Sequence, residues 1–112
     1  FAANRGLDNL TAIVDYNKLQ LYGPIAELMP IEPLLAKWQA FGWNTMEIDG
    51  HDIEQIIGSL RRAATMKGKP TVIIAHTVKG KGVSFMEGKV EWHAKPPTQE
   101  EYERALAELR ND

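Results

Sequence analysis

Thr71-Val72-Ile73-Ile74-Ala75 is a β-branched, apolar run without the polar alternation of a one-sided strand. A strand apolar on both faces belongs inside a sheet that is covered on both sides, the habit of parallel sheets in α/β proteins. The preceding segments fit that demand. Leu10 to Val14 is a short apolar run bounded by Asn9 and Asp15 and reads as a buried strand. Trp43 to Ile48 alternates and reads as a second strand, ending at Asp49-Gly50. Between these two a helix pattern begins at Ile31, with Pro33 in its first turn. Leu34, Leu35, Trp38 and Phe41 recur at helical spacing and Gly42 is its stop. Asp52, with Gln55 in the capping-box position, opens a further helix whose apolar stripe is Ile53, Ile56, Ile57, Leu60 and Ala64.

The connecting segments are as informative. Phe1 to Gly6 reads as the last turns of a helix that stops at the glycine, so the chain is expected to be a piece of something longer. The first strand ends in Asp15-Tyr16-Asn17, followed by a short alternating segment, Leu19-Gln20-Leu21, with both leucines core-facing. Residues 22–30 read as loop, broken by Gly23-Pro24 and Pro30. Lys67 to Pro70 is a turn, Lys79-Gly80-Lys81-Gly82 follows the third strand, and 83–97 is irregular. Thr98 with Glu101 is a second capping box, opening a helix with Tyr102, Ala105, Leu106 and Leu109 on one side. Strands alternating with helices imply parallel pairing through right-handed crossovers. All three strands then end on one edge, where open α/β sheets bind ligands. Asp15-Tyr16-Asn17, Asp49-Gly50-His51 and Thr77-Val78-Lys79 are expected to converge there.

Composition narrows the function classes. The 112 residues are 44% hydrophobic and 25% charged, which suits one small globular domain. A net charge of -2 argues against a nucleic-acid binder and gives no attraction to a membrane surface. There is no cysteine, hence no disulfide framework and no thiolate metal site. No apolar stretch approaches a bilayer span, no signal-peptide pattern is visible, and a cytoplasmic location is expected.

Each polar motif has a plain reading and a chemical one. Asp15 and Asn17 after a strand are ordinary turn formers. Equally, an amide oxygen at a sheet edge, with a freed backbone carbonyl two residues on, suits a hard cation such as Mg²⁺. Asp49-Gly50-His51-Asp52 is a tight turn feeding a helix cap, or part of a site at the rim. Lys79 to Gly82 is either a basic surface loop or a cradle for phosphate, though not a Walker A loop. His76 reads as a satisfied core or sheet-face residue. His93 lies in the irregular stretch, where a histidine is either plain surface or an acid, base or phosphate donor.

Together these segments resemble the transketolase family. The matching pieces are Asp15-Tyr16-Asn17-Lys18-Leu19-Gln20-Leu21, Phe41-Gly42-Trp43, Asp49-Gly50-His51-Asp52, Lys69-Pro70-Thr71, Gly80-Lys81-Gly82 and Trp92-His93, in order and across nearly the whole chain. The likeness is to the N-terminal subunit of split, two-chain transketolases. It implies a three-layer, parallel-sheet thiamine diphosphate-binding fold, of which residues 1–112 are the C-terminal part. The implied activity is transfer of a two-carbon ketol unit between sugar phosphates, as in the pentose phosphate pathway. Thiamine diphosphate and Mg²⁺ or Ca²⁺ are the implied cofactors. The implied partners are a second copy of this chain and a C-terminal transketolase subunit. Asn17 matches the side-chain metal ligand that also lies near the cofactor diphosphate, and Leu19 the backbone-carbonyl metal ligand. Leu21 matches an apolar residue against the cofactor rings. His93 matches the loop histidine that contacts the diphosphate and the substrate end of the site, and it is the catalytic candidate.

Three departures qualify the resemblance. The family's metal site needs the Asp of a Gly-Asp-Gly motif, and none occurs in the sixteen residues before Asn17. Ala94 stands where glycine usually follows the loop histidine, adding a methyl near the site. Tyr22 stands where an acidic residue is common. The isolated chain is therefore expected to be inactive, and marginal as a monomer, since a partial sheet leaves strand edges uncovered. A deoxyxylulose-phosphate synthase, a dehydrogenase E1 component and a non-catalytic interaction module remain the alternatives.

Overall fold

The computed structural model describes residues 1–110. In chain order the elements are β1 (Thr11–Tyr16), β2 (Leu19–Gln20), β3 (Gly23–Pro24), α1 (Ile25–Leu28), α2 (Leu34–Ala40), β4 (Asn44–Asp49), α3 (Ile53–Thr65), β5 (Thr71–His76), a 3-10 helix (Val90–His93) and α4 (Gln99–Leu109). They form two compact units. One holds Phe1–Tyr16 and Ile31–Thr77; the other holds Asn17–Pro30 and the described residues from Val78 onward.

The first unit is built on β5. It lies between β1 and β4, parallel to both, with Thr71 level with Thr11 and Asn44 and His76 level with Tyr16 and Asp49. Thr71 to Ala75 are all buried, so the non-alternating run is indeed the central strand. Burying Val72, Ile73 and Ile74 is worth about 1.5–3 kcal/mol each. The flanking strands are less covered: Ile13 on β1 is 57% exposed. Pairing with β5 carries β1 through Asp15 to Tyr16, beyond the apolar run, because the ladder rather than side-chain polarity ends that strand. Helices α2 and α3 both pack on β4.

Local bonds set the helix ends. At the end of α2, Gly42 N–H donates to Gln39 O at 2.9 Å and Trp43 N–H to Trp38 O at 3.1 Å. That is a Schellman closure, and Gly42 takes the left-handed conformation it needs, at φ 81°. Trp43 meets Trp38 edge to face, 4.9 Å between ring centres, so its ring closes the helix and β4 begins one residue later. The same two bonds recur where Gly6 N–H reaches Ala3 O and Leu7 N–H reaches Ala2 O. The first residues thus make a helix-ending turn, though only turns precede it.

Two starts differ from expectation. Helix α2 begins at Leu34 rather than Ile31, with Pro33 as an extended cap residue at φ -79° and ψ 108°. Prolines at 30 and 33 bias the residues before them away from helix, and Glu32 supplies the cap instead. Its carboxylate accepts Leu34 N–H at 2.7 Å and the Tyr16 hydroxyl at 2.6 Å. At α3, Asp52 caps as expected, accepting Glu54 N–H at 2.9 Å and Gln55 N–H at 3.1 Å. Gln55 does not close the box onto Asp52 N–H. Its Oε1 takes Asp49 N–H at 3.0 Å, tying the helix back to the end of β4. The apolar stripe of α3 is only partly covered: Ile53 is 65% and Ile57 43% exposed.

Part of the expected rim forms within this unit, at Asp15-Tyr16, Asp49-Gly50-His51 and Thr77; Asn17, Val78 and Lys79 belong to the other unit. Gly50 N–H donates to His76 O at 2.8 Å, and Thr77 Oγ1 donates to Asp15 Oδ1. Gly50 is needed for close approach. A Cβ there would collide with Thr77 Cγ2 and come within 3.1 Å of His76 O and 3.2 Å of Ala75 Cβ. Gly50→Ala is expected to destabilise the full-length protein by about 1–3 kcal/mol, read as a lowered melting temperature. An unchanged melting temperature would refute the packing at this point.

In the second unit β2 and β3 pair antiparallel, Leu19 opposite Pro24 and Gln20 opposite Gly23. Residues 22–30 are therefore not all loop. They hold β3 and the single helical turn α1. Leu21 and Tyr22 become the two turn residues of a hairpin, 47% and 84% exposed, so Leu21 is not core-facing. Helix α4 opens on the expected box: Glu101 N–H donates to Thr98 Oγ1 at 3.2 Å, and Thr98 N–H to Glu101 Oε2 at 2.8 Å.

Hydrogen bonds hold four carboxyls below their ordinary range. The leading donors are the Tyr16 hydroxyl for Glu32, Gln55 N–H for Asp52, Thr98 N–H for Glu101 and Ser84 N–H for Glu108. The stability they contribute is complete above the unfolded carboxyl values of about 4. It is lost as pH falls through the lower folded values, because the unfolded chain binds more protons in that window. Melting temperature is expected to hold steady from neutral pH down to about pH 5 and to drop below about pH 4. Glu32→Gln is expected to flatten part of that acid limb; an identical limb would remove Glu32 from this account.

Candidate functional site

Asn17 follows β1 directly, half-buried. Its Oδ1 accepts Leu19 N–H at 2.9 Å, an Asx turn across Lys18. Lys18 sits at φ 64°, and its carbonyl accepts Ile25 N–H at 3.0 Å. An amide oxygen has two lone pairs, and the bond to Leu19 uses one. This turn delivers the chain into β2, which packs against the 3-10 helix Val90–His93. Asn17, Leu19 and His93 therefore lie on adjacent segments of one unit, with Leu21 at the hairpin turn of the same segment.

His93 ends the 3-10 helix and is exposed. Its neighbour Trp92 is anchored: the indole N–H donates to Phe85 O at 3.1 Å, and its ring meets Phe85 edge to face at 5.5 Å. Lys95 Nζ stands 4.3 Å over the Trp92 ring and Arg104 Cζ 4.3 Å over the Phe85 ring. Sequence reasoning missed Phe85, Lys95 and Arg104, which no shared periodicity links to Trp92. Ala94 has φ -140° and ψ 10°, a conformation open to any L-residue, so the extra methyl costs no backbone strain.

The loop at Lys79 to Gly82 does not offer an open phosphate cradle. Gly82 N–H donates to Glu87 Oε1 at 3.0 Å, and Lys81 Nζ lies 3.5 Å from the same oxygen. The loop already holds an anion of its own chain. In the first unit, His76 is half-exposed on the sheet face, 3.0 Å from Glu47 Oε1, as its reading as a satisfied sheet-face residue expects. Its ring tilts against Tyr16 at 5.6 Å between centres. The bond to Glu32 and burial raise the Tyr16 phenol above its ordinary value, keeping it a donor.

What these groups can hold follows from their chemistry. Among the described residues no cluster of three His, Asp or Glu could bind a metal. Asn17 Oδ1 and Leu19 O are neutral oxygens, donors that suit a hard cation. They fill at most two of about six positions around Mg²⁺, which leaves the others to phosphate oxygens, water or further protein oxygens. The residues present thus fit a shared metal-diphosphate site in part.

The three-stranded parallel sheet and the helices packed on it define an α/β domain. The fold superposes on transketolase from Campylobacter jejuni with a TM-score of 0.90 at 31% identity, over 97% of this chain and 17% of that one. Transketolase from Leishmania mexicana gives 0.89 at 28% identity, over 97% of this chain and 16% of that one. The family described as transketolase, thiamine diphosphate binding domain, matches residues 1–110, and the chain belongs to it. Two relatives are a 6-deoxy-6-sulfo-D-fructose transketolase subunit of Clostridium sp. (strain MSTE9), 46% identical over all of this chain, and an apulose-4-phosphate transketolase subunit of Phocaeicola vulgatus, 47% identical over 92%. The chain spans only 41% and 37% of their respective lengths.

Proposed function

We propose that this chain carries part of the active site of a transketolase, moving a two-carbon ketol unit from a ketose phosphate to an aldose phosphate. It is the C-terminal part of the diphosphate-binding domain. The observation that carries the reading is the Asx turn at Asn17 beside the helix that ends in His93, in a chain of this family.

Asn17 Oδ1 and Leu19 O would hold Mg²⁺ or Ca²⁺ together with the cofactor diphosphate. The exposed Leu21 side chain would cover the cofactor rings and keep water from them. His93 would donate to the diphosphate and move protons at the reacting hydroxyls, a role worth about 10²–10⁴-fold. Thiamine diphosphate, when bound, supplies the electron sink for cleaving and forming the carbon–carbon bond. The two relatives named above are each called subunits, which supports a partner in the form of a complementary C-terminal subunit. A second copy of this chain, a cytoplasmic location and a place in pentose phosphate metabolism belong to the same reading. Among the described residues no helix is long and apolar enough to cross a membrane.

The test is a product assay on the full-length subunit with its complementary subunit, thiamine diphosphate and Mg²⁺. A ketose phosphate and an aldose phosphate are expected to yield an acceptor sugar lengthened by two carbons. Condensation of pyruvate with glyceraldehyde phosphate instead would make it a deoxyxylulose-phosphate synthase. No thiamine diphosphate binding in calorimetry would make it an interaction module.

A further inference from the structure

We infer that Trp92 is a positioning residue for His93, held in a ladder of two touching aromatic rings, each covered by a cation, that is anchored on α4. The inference rests on the proposed role of His93. His93 is exposed and makes no side-chain hydrogen bond among the described residues, so its place is set by the chain beside it. That chain is Trp92, and Trp92 is restrained on each side. Its N–H is spent on Phe85 O at 3.1 Å, its ring packs edge to face on Phe85 at 5.5 Å, and Lys95 covers the ring at 4.3 Å. Phe85 in turn is covered by Arg104 at 4.3 Å.

Both cations are fixed by acidic residues of α4. Lys95 Nζ lies 2.9 Å from Glu101 Oε1, and Glu101 is the partner of Thr98 in the capping box of that helix. Arg104 Nε lies 3.4 Å from Glu108 Oε1, which accepts Ser84 Oγ at 2.9 Å, one residue before Phe85. The contacts therefore close on themselves, from α4 through Lys95, Trp92, Phe85 and Ser84 back to α4. A charged pair over an aromatic face is directional as well as attractive. A ring held on two contacts leaves the next residue little freedom of backbone direction. Reactions that depend on placement are steep in distance: about 1 Å of error can cost about 10²-fold.

The experiment is a double-mutant cycle in the full-length subunit, in complex with its complementary subunit, reading kcat, KM and thiamine diphosphate affinity for His93→Ala, Trp92→Leu and the pair. Trp92→Leu is expected to lower kcat by about 10–100-fold, with smaller losses in KM and in thiamine diphosphate affinity through the same displaced imidazole. In the His93→Ala background the same change is expected to cost little more, because the group it positions is gone. Trp92→Phe, which keeps the ring and loses the N–H, is expected to fall between. An equal loss in both backgrounds would overturn the inference and leave Trp92 as general support. Full activity of the Trp92 variants with a damaged His93→Ala enzyme would overturn it as well, while sparing the role of His93. Full activity of His93→Ala would instead overturn the role of His93. If Trp92→Leu does not fold, Trp92→Phe and Phe85→Leu carry the same cycle.

Discussion

Replacing Asn17 by Ala in the full-length subunit, in complex with its complementary subunit, is expected to weaken Mg²⁺-dependent thiamine diphosphate binding by about 100-fold or more. Two losses combine. The amide oxygen disappears as a donor to the cation, and the bond from Leu19 N–H disappears with it. That bond shapes the turn carrying the Leu19 carbonyl, so a second donor loses its orientation. Loss of an orienting partner alone typically costs about 10–100-fold in metal affinity, and a direct donor costs more. The effect on folding is smaller, about 0.5–1.5 kcal/mol for one hydrogen bond. Titration calorimetry with and without chelator separates the two. Asn17→Asp, which keeps an oxygen acceptor for Leu19 N–H, is expected to retain much of the binding. Unchanged metal-dependent affinity in Asn17→Ala would end the metal assignment.

His93→Ala in the same assembly is expected to lower kcat by roughly 10²–10⁴-fold, the usual worth of a placed acid or base. Its stability is expected to stay within about 0.5 kcal/mol of the parent, since an exposed side chain with no hydrogen bond among the described residues has little to lose. Steady-state kinetics with a ketose phosphate donor and an aldose phosphate acceptor, beside a thermal melt, reads both quantities. A variant with parental kcat would show that His93 takes no part in the chemistry.

Much of the fold was legible because it depends on short-range rules. A helix needs its first N–H groups satisfied, so Asp52 and Thr98 announced α3 and α4. A helix ends easily at a left-handed residue, so Gly42 announced the stop of α2. The misread parts depend on partners. Ile31 fits the helical period, yet Glu32 and the prolines hold the start at Leu34. Leu21 continues an alternating pattern, yet pairing of Gln20 with Gly23 turns it out of the strand. The candidate site divides the same way. Asn17, Leu19, Leu21 and His93 were legible as candidates through the family motifs they match. Phe85, Lys95 and Arg104 were not, since a ring stacked on a cation leaves no period in the chain.

The amino-acid order by itself determined the central strand, the alternation of the main strands and helices, the caps at Asp52 and Thr98 and the stop at Gly42. Each of these is dictated by burial of an apolar run or by hydrogen bonding within a few residues. Only the tertiary structure decided that Gln55 reaches Asp49, that Glu87 fills the N–H of Gly82, and that the Trp92 ladder closes on α4. A side chain with several partners in reach takes the one that packing brings to it, and packing is a property of the whole fold.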